Sequence, residues 1–393
     1  MIAHHIILFV LLVALPYVWV DYQYLRPKRT LPFWKRQLWW IPCFVMLFYT
    51  ARMAHVPDFI PRHRPLTDTY LLLFGVLVIP VAVFSLCTAT GWLLARLRKP
   101  RHPYGRVIGI TAAAVCLIAF LYGFTFGFNR VEVKHVQLSF HNLPTALNGY
   151  KIVHVSDLHV GTYSGWRRPV LKQIIDSINA QKPDLIAFTG DLQNTRPEEV
   201  EQVKDLLSQL TNVYSVLGNH DHGEYTSGTE EEKQAMEEKM IRLQKELGWT
   251  LLINETHSLN LQPSNLSHQP STFDMIGTDN DGTPPFPSLA DYRRACQNTA
   301  GDRTFTIMLQ HDPSAWRRHI LPETTAQLTL SGHTHGGQMG VGRLRPTRFR
   351  YSEDSGLYQE GDRYLHVSNG AGALVPFRLG ISNEITVIHL TNR

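Results

Sequence analysis

The chain has 393 residues, of which 44% are hydrophobic and 10% aromatic, and this composition excludes a disordered or collagen-like protein. Its four cysteines are too few for a disulfide scaffold. The net charge of +5 conceals a division, because residues 1–130 hold 14 Lys and Arg against 3 Asp and Glu, whereas residues 131–393 hold 24 against 30. The basic character therefore belongs to the first third, and no nucleic-acid partner is expected.

The first third contains four apolar runs, which are Ile6–Val20, Leu38–Met53, Tyr70–Leu97 and Val107–Phe128. A helix needs about 20 apolar residues to cross a hydrocarbon core of about 30 Å. We therefore expect residues 1–130 to form an α-helical membrane region of about four spans. The second run is the weakest, because Pro42 interrupts it and Arg52 ends it, and a re-entrant or interfacial segment is its alternative. A signal peptide is the alternative for the first run, although no Lys or Arg precedes it.

Basic residues concentrate in two of the loops that join these runs. Residues 21–37 hold five Lys and Arg and residues 98–106 hold four, whereas residues 54–69 hold two. Such a bias places the richer loops in the cytoplasm. Four spans would then put residues 131–393 on the extracytoplasmic side of a bacterial inner or plasma membrane.

From residue 131 onward, predicted strands alternate with predicted helices, and a strand-rich half follows. The predicted strands are 131–140, 151–156, 184–189, 212–217, 250–254, 273–277, 304–309, 327–330, 364–367 and 384–390, and the predicted helices are 169–180, 197–210 and 230–247. This order predicts a layered α/β sandwich. Two polar stretches rich in Pro, Ser and Asn, Gln262–Thr272 and Asn280–Ser288, are predicted loops.

Potential metal ligands directly follow five of the predicted strands. They occur in the segments Asp157-Leu158-His159, Gly190-Asp191, Gly218-Asn219-His220-Asp221, Gln310-His311-Asp312 and Gly332-His333-Thr334-His335. Sites in open α/β sheets form beyond the carboxyl ends of the strands, so these five loops can converge. Carboxylates together with imidazoles suit Mn, Fe or Zn. The set predicts a centre of two divalent metal ions, in which one carboxylate bridges both ions and a water is activated for phosphoryl displacement.

The motifs DLH, GD, GNHD, QHDP and GHTHGGQ resemble those of the calcineurin-like metallophosphoesterase superfamily. The long last motif and the later segment VSNGAGALVPFRLG are similar to the membrane-associated YkuE/YaeI-type branch. The resemblance covers about residues 150–391. It implies a four-layer α/β/β/α sandwich with a dinuclear metal site, and hydrolysis of phosphoric esters.

Individual roles follow from the same resemblance. It implies one metal ion held by Asp157, His159, Asp191 and His335. It implies a second ion held by Asp191 as the bridge, with Asn219, His311 and His333. His220 would face the phosphate and protonate the leaving oxygen, with Asp221 orienting it. The chain departs from the family pattern at Asn194, where many members have Asp, and this puts only support around the ligands in doubt.

Four arginines follow the last motif, at Arg343, Arg345, Arg348 and Arg350. Arginine forks match phosphate oxygens, so these residues are candidate contacts to an anionic substrate or lipid headgroup. A solvated strand face is the alternative interpretation.

Two functions remain open on the sequence. The favoured one is a membrane-anchored, metal-dependent phosphohydrolase that cleaves a phosphomonoester or phosphodiester, with a lipid-linked or envelope substrate suggested by the anchor. The alternative is a non-catalytic metal-binding or sensory domain on a membrane anchor. A degenerate domain of that kind should lack one of the motif carboxylates or histidines, and none is missing.

Overall fold

The computed structural model describes residues 5–28, 32–56, 58, 64–97, 104–261, 271–300, 304–342 and 344–393. The chain divides into two compact units, Met1–Phe126 and Gly127–Arg393. Arg343, most of the basic segment 98–106 and most of the expected loop 262–272 lie outside the described residues.

The N-terminal unit is helical. Its α-helices are α1 (Ile6–Val20), α2 (Phe33–Leu38), α3 (Ile41–Ala54), α4 (Arg64–Leu73), α5 (Ile79–Leu97) and α6 (Tyr104–Tyr122). Short π-helical turns extend α1 and α6 and join α4 to α5. Within the described part of the chain, three stretches are long and apolar enough to cross a membrane, namely Ile6–Leu25, Arg64–Arg96 and Tyr104–Gly127.

The second apolar run forms α3, which has 14 residues. A helix of that length rises about 21 Å, which is short of a hydrocarbon core of about 30 Å. Pro42 does not interrupt this helix as expected but lies in its first turn, where a missing N–H costs no hydrogen bond. The membrane character of the region is confirmed, and the fourth span stays a prediction.

The C-terminal unit contains two six-stranded sheets. The strands are β1 (Val131–Phe140), β2 (Lys151–Val155), β3 (Leu185–Phe188), β4 (Val213–Ser215), β5 (Thr250–Leu251), β6 (Glu255–Leu261), β7 (Ser271–Gly277), β8 (Phe305–Leu309), β9 (Leu328–Ser331), β10 (Gly356–Glu360), β11 (Arg363–Val367) and β12 (Asn383–Asn392). The first sheet has the order β1-β12-β2-β3-β4-β5 and the second the order β10-β11-β9-β8-β7-β6. Strands β2 to β5 run parallel in the first sheet, as do β7, β8, β9 and β11 in the second.

Three apolar cores hold four layers together. Between the sheets, residues such as Ile152 and Ala187 pack with Phe273 and Ile307. The outer face of the first sheet packs on α7 (Arg168–Ala180), α9 (Lys204–Leu207) and α10 (Glu230–Glu246). The second sheet packs on α11 (Tyr292–Ala295) and the turn around Trp316. The predicted α/β/β/α sandwich is therefore confirmed.

Several elements differ locally from the prediction. The expected helix 197–210 is split into α8 (Glu198–Glu201) and α9, with Val203 between them outside helical geometry. Strands β6 and β10 were not expected, and both pair antiparallel at the outer part of the second sheet. Their side chains alternate between exposed and half-buried positions, so their apolar signal is weak.

Candidate metal centre

Five loops converge beyond the carboxyl ends of β2, β3, β4, β8 and β9. They bring potential ligand atoms to within 4.8 Å of one another in three groups, which are Asp157-His159-His335, His159-Asp191-His220 and Asp191-His311-His333. All of these side chains are buried except those of His220, His333 and His335, which are half-buried. Asp191 and His159 each belong to two groups, so the clusters form one continuous site.

The backbone of these loops is unusual for residues with side chains. Positive φ angles occur at Asp157 (53°), His159 (45°), Asp191 (57°), His333 (69°) and His335 (52°). Left-handed conformations are disfavoured for all residues but glycine, and they concentrate at functional sites. The adjacent glycines have a steric role, since a Cβ at Gly218 would collide with Asp191 and one at Gly332 with Asp157. The chain therefore folds tightly to aim several ligand-type side chains inward.

Backbone carbonyls orient two of the imidazoles. The Nδ1 atom of His159 lies 3.1 Å from the Gln193 carbonyl oxygen, and Nδ1 of His311 lies 2.7 Å from that of Thr189. A carbonyl only accepts, so Nδ1 carries the hydrogen in both rings. Each Nε2 then faces Asp191 Oδ2, at 3.5 Å and 3.3 Å respectively. This arrangement is typical of histidine ligands of metals.

The two histidines of the last motif contact Asp157 in different ways. His335 Nε2 lies 3.4 Å from Asp157 Oδ1, whereas the backbone N–H of His333 donates to Asp157 Oδ2 at 2.9 Å. The His333 ring lies between His311, whose Nε2 is 3.2 Å from its Nδ1, and the Tyr351 hydroxyl, which is 3.0 Å from its Nε2. The two carboxylate oxygens of Asp157 thus contact both histidines of the last motif.

Two of the candidate ligand side chains each have a buried acceptor oxygen without a hydrogen-bond donor among the described residues. These oxygens are Oδ1 of Asp157 and Oδ1 of Asn219, whose amide nitrogen donates instead to the Tyr225 hydroxyl at 2.7 Å. A buried acceptor without a donor is costly. Two such oxygens beside carboxylate and imidazole ligands fit divalent cations as their partners.

Burial and neighbouring charges shift the pKa values of several residues in the centre. Burial lowers the pKa of both His159 and His335 to about 3, so both rings are neutral at neutral pH. Burial alone would raise the pKa of Asp191, but His311 and His220 hold that carboxyl well below its usual range. Burial would lower the pKa of His311, and the Asp191 carboxylate instead raises it to about 10. Asp191 is therefore anionic at the middle of the site.

The structure does not support the expectation that Asp221 orients His220. The Asp221 carboxylate is buried and accepts backbone N–H groups of Gly218, Asp191 and Leu192 at 2.8 to 3.0 Å. His220 Nδ1 lies 2.6 Å from the carbonyl oxygen of Asn194 instead. Asp221 therefore joins two ligand loops, and Asn194, the position that departs from the family pattern, orients His220 through its backbone.

The four arginines lie in different environments. Arg345 is tied to Asp354 by two hydrogen bonds of 2.7 and 2.9 Å, so its guanidinium serves local structure. Arg350 lines a cavity of about 300 Å³ together with His220 and other residues of the centre. Arg348 is exposed and Arg343 lies outside the described residues. Of the described arginines, only Arg350 contributes to the cavity.

One residue that sequence reasoning did not single out supports the centre from behind. The buried guanidinium of Arg378 donates to the carbonyl oxygens of Asn369, Gly370 and Gly372 at 2.6 to 3.0 Å. The N–H of Gly372 in turn donates to the Asp157 carbonyl at 2.9 Å. The signal available was an arginine that closely follows a glycine-rich segment, in VSNGAGALVPFRLG.

Comparison with known proteins matches both parts of the chain. Residues 150–337 match the family of calcineurin-like phosphoesterases, and residues 2–128 match the family described as "Probable Calcineurin-like phosphoesterase, transmembrane domain". The uncharacterized metallophosphoesterase YkuE of Bacillus subtilis is 31% identical over 67% of this chain and 86% of its own length.

Two further relatives extend the match. The uncharacterized metallophosphoesterase Cj0846 of Campylobacter jejuni is 25% identical over 89% of this chain and 88% of its own length. The phosphodiesterase YaeI of Escherichia coli is 28% identical over 61% of this chain and 82% of its own length. The chain is thus a membrane-anchored phosphoric ester hydrolase that belongs to the calcineurin-like metallophosphoesterase family.

Proposed function

We propose that the chain hydrolyses a phosphomonoester or phosphodiester with two divalent metal ions bound in the centre, and that residues 131–393 do so while residues 1–130 anchor them. The observation that carries the proposal is the place of Asp191 in two of the three groups of potential ligand atoms, beside His159 in one and beside His311 and His333 in the other. A carboxylate common to both groups can bridge two ions, which a two-metal phosphoesterase requires.

The proposed ligands of the first ion are Asp157, His159, Asp191 and His335. The proposed ligands of the second ion are Asp191, Asn219, His311 and His333. The buried oxygens of Asp157 and Asn219 that lack a hydrogen-bond donor support this division, because one belongs to each proposed ligand set. The mixture of oxygen and nitrogen ligands favours Mn, Fe or Zn. Bound there, the ions would supply an activated water and neutralise phosphate charge.

His220 is the proposed general acid. Its Nδ1 hydrogen is held by the Asn194 carbonyl, so the imidazolium form of the ring would give its Nε2 proton to the leaving oxygen and become the neutral imidazole. The ring stacks on Tyr225 with 4.1 Å between centroids, which fixes its plane. The ring also meets that of His159 edge to face at 4.9 Å, so the acid lies beside the ligands.

The substrate is proposed to carry its phosphate at a membrane surface. Anchoring raises the local concentration of lipid-linked or envelope phosphoesters relative to cytosolic ones.

The basic loops at 21–37 and 98–106 support a catalytic unit on the extracytoplasmic side of a bacterial inner or plasma membrane. Alkaline phosphatase fused after Arg393 should be active in cells, whereas a fluorescent cytoplasmic reporter at the same place would contradict this orientation.

Activity is tested on the full chain in detergent micelles. The chain is stripped of metal, reloaded with Mn, Fe or Zn, and assayed on nitrophenyl mono- and diesters and on phospholipids. We expect hydrolysis that depends on added metal and a stoichiometry near two ions per chain. Tight metal binding without turnover of any ester would favour the sensory alternative.

A further inference from the structure

The segment Met339–Arg350, here called the rim segment, exposes large apolar side chains. Val341 is 81% exposed, Leu344 80% and Phe349 97%. Among the described residues of the C-terminal unit these are the three most exposed large apolar side chains, and they lie within nine positions. Scattered apolar residues on a surface need no explanation, but a cluster of this kind marks an interaction site.

Local hydrogen bonds hold the rim segment in this conformation. Val341 and Leu344 pair with each other through two backbone hydrogen bonds of 3.1 Å. Met339 bridges to Leu379 in the last part of the chain. The Arg345 guanidinium is bonded to Asp354, which is buried. The exposed apolar side chains therefore project from a segment that hydrogen bonds hold in place.

The rim segment also borders the candidate metal centre. Thr347 and Arg350 line the same cavity of about 300 Å³ as His159, Asp191 and His335. The Arg350 guanidinium donates to the Pro284 carbonyl at 3.0 Å and lies 5.2 Å from the centre of the Phe286 ring, which also lines the cavity. Whatever binds the apolar tips is therefore close to the mouth of the catalytic cavity.

The chemistry of the rim segment fits a lipid bilayer. Its exposed side chains are apolar or cationic, since Arg348 and Arg350 are exposed beside Phe349. Apolar tips flanked by arginines are typical of surfaces that enter the boundary between headgroups and acyl chains of anionic membranes. The chain has a bilayer within reach, because only three residues separate the membrane stretch that ends at Gly127 from β1.

We propose that the rim segment docks on the bilayer surface, with Val341, Leu344 and Phe349 in the headgroup–acyl boundary and Arg348 among anionic headgroups. The docked segment would present the mouth of the cavity to lipid headgroups. This surface contact goes beyond the proposed hydrolysis and stands without it. Only the delivery of lipid headgroups to the cavity for hydrolysis rests on the proposed function.

Photo-cross-linking in the full chain tests this contact without an activity assay. The chain keeps its cysteines, carries p-benzoylphenylalanine at position 341, 344 or 349, and is reconstituted in nanodiscs of phosphatidylcholine with or without phosphatidylglycerol. The matched controls carry the probe at Leu289 or Leu357, which are 47% and 44% exposed and lie outside the rim segment. Mass spectrometry after irradiation identifies lipid adducts. Each variant must keep the thermal transition of the parent chain.

We expect several-fold more lipid adduct at the three rim positions than at either control. Arg348→Glu should lower the adduct yield at position 349 by about fivefold or more in discs with phosphatidylglycerol, and much less in phosphatidylcholine alone. Cross-links from the rim to protein, or lipid yields no higher than those at Leu357, would overturn the proposal. If the parent chain shows no esterase activity while the probe variants still form lipid adducts, only the proposed function is contradicted.

Discussion

The ligand loops and the rim segment border the same cavity but are built in opposite ways. The ligand loops are buried, and five of their residues adopt left-handed backbone conformations. The rim segment is mostly exposed, and its apolar tips touch little of the surrounding protein. On the proposed function, the chemistry would depend on tightly held groups, whereas the choice of substrate would depend on exposed side chains.

Strain in the ligand loops has an energetic meaning. A non-glycine residue in the left-handed region costs on the order of 1 kcal/mol, and several such residues occur together here. Backbone N–H bonds to the Asp221 carboxylate and the packing of both sheets offset this cost. The loops are therefore preorganised for a metal, which is what distinguishes them from the rim.

The largest effect is expected at Asp191, which two of the three groups of potential ligands share and which both proposed ligand sets include. Asp191→Ala should abolish hydrolysis and lower the metal content at both positions, because a bridging ligand serves both ions. Metal analysis and ester hydrolysis on the same sample provide the measurement. Asp176→Ala, which removes an exposed pair with Lys172, is the control and should change neither. Retention of both metals in the Asp191 variant would refute the bridging role.

The next effect separates proton transfer from metal binding. His220→Gln should lower kcat by about 10²–10⁴-fold while both metals stay bound, since general acid catalysis is worth that much. Asp221→Asn should instead reduce stability and metal content, because its carboxylate joins the loops of Asp191 and Asn219. Loss of metal from the His220 variant would show that the ring is a ligand. The kcat of the His220 variant should approach that of the parent chain on substrates whose leaving group needs no proton.

The next prediction concerns Arg378, which supports the metal centre from behind without lining it. Arg378→Lys should weaken metal affinity by about 10- to 100-fold, the usual cost of losing a group behind a ligand. The matched control is Arg363→Lys, because Arg363 also donates to several carbonyls, those of Ile320, Leu321 and Ala326, away from the centre. Both variants should unfold at lower temperature. Equal metal affinity in the two would contradict a role for Arg378 at the centre.

The pH dependence of stability tests a buried pair between the two sheets. His154 on β2 and His366 on β11 have their Nδ1 atoms 2.9 Å apart, and burial lowers the pKa of His366 to about 4. Unfolding therefore takes up a proton at this residue between about pH 6.5 and pH 4, so the free energy of unfolding falls as pH falls through that window.

His366→Gln should make this pH dependence shallower by about 1.4 kcal/mol per pH unit, although the variant starts less stable at pH 7. Thermal unfolding of the chelator-treated chain at several pH values provides the measurement. His141→Gln, at an exposed position, is the control and should keep the parent slope. An unchanged slope in the His366 variant would mean that this ring is protonated in the fold.

The sequence predicted the parts of the site that depend on strand ends. Short apolar runs located β2, β3 and β8, and parallel strands bring the residues that follow them to one edge. The partners of Asp221, His220 and Arg378 were not predictable, because these partners are backbone groups. A carbonyl or N–H belongs to every residue type, so no side-chain pattern reports which one will be near.

The smallest effect, and the one that bears most directly on the rim, is expected at Arg350. The sequence suggested four arginines as a group, but the contacts separate them, since Arg345 is bonded to Asp354 and Arg350 lines the cavity. Arg350→Ala should raise KM for an anionic phospholipid by about tenfold, the value of one charged hydrogen bond, and should change kcat little. A small nitrophenyl ester should be affected less, because it does not extend to the rim. Arg242→Ala, at an exposed position of α10, is the matched control and should change KM for neither substrate. If both variants alter KM for the lipid and the small ester alike, the rim does not select the substrate, and the division between rigid chemistry and variable recognition fails.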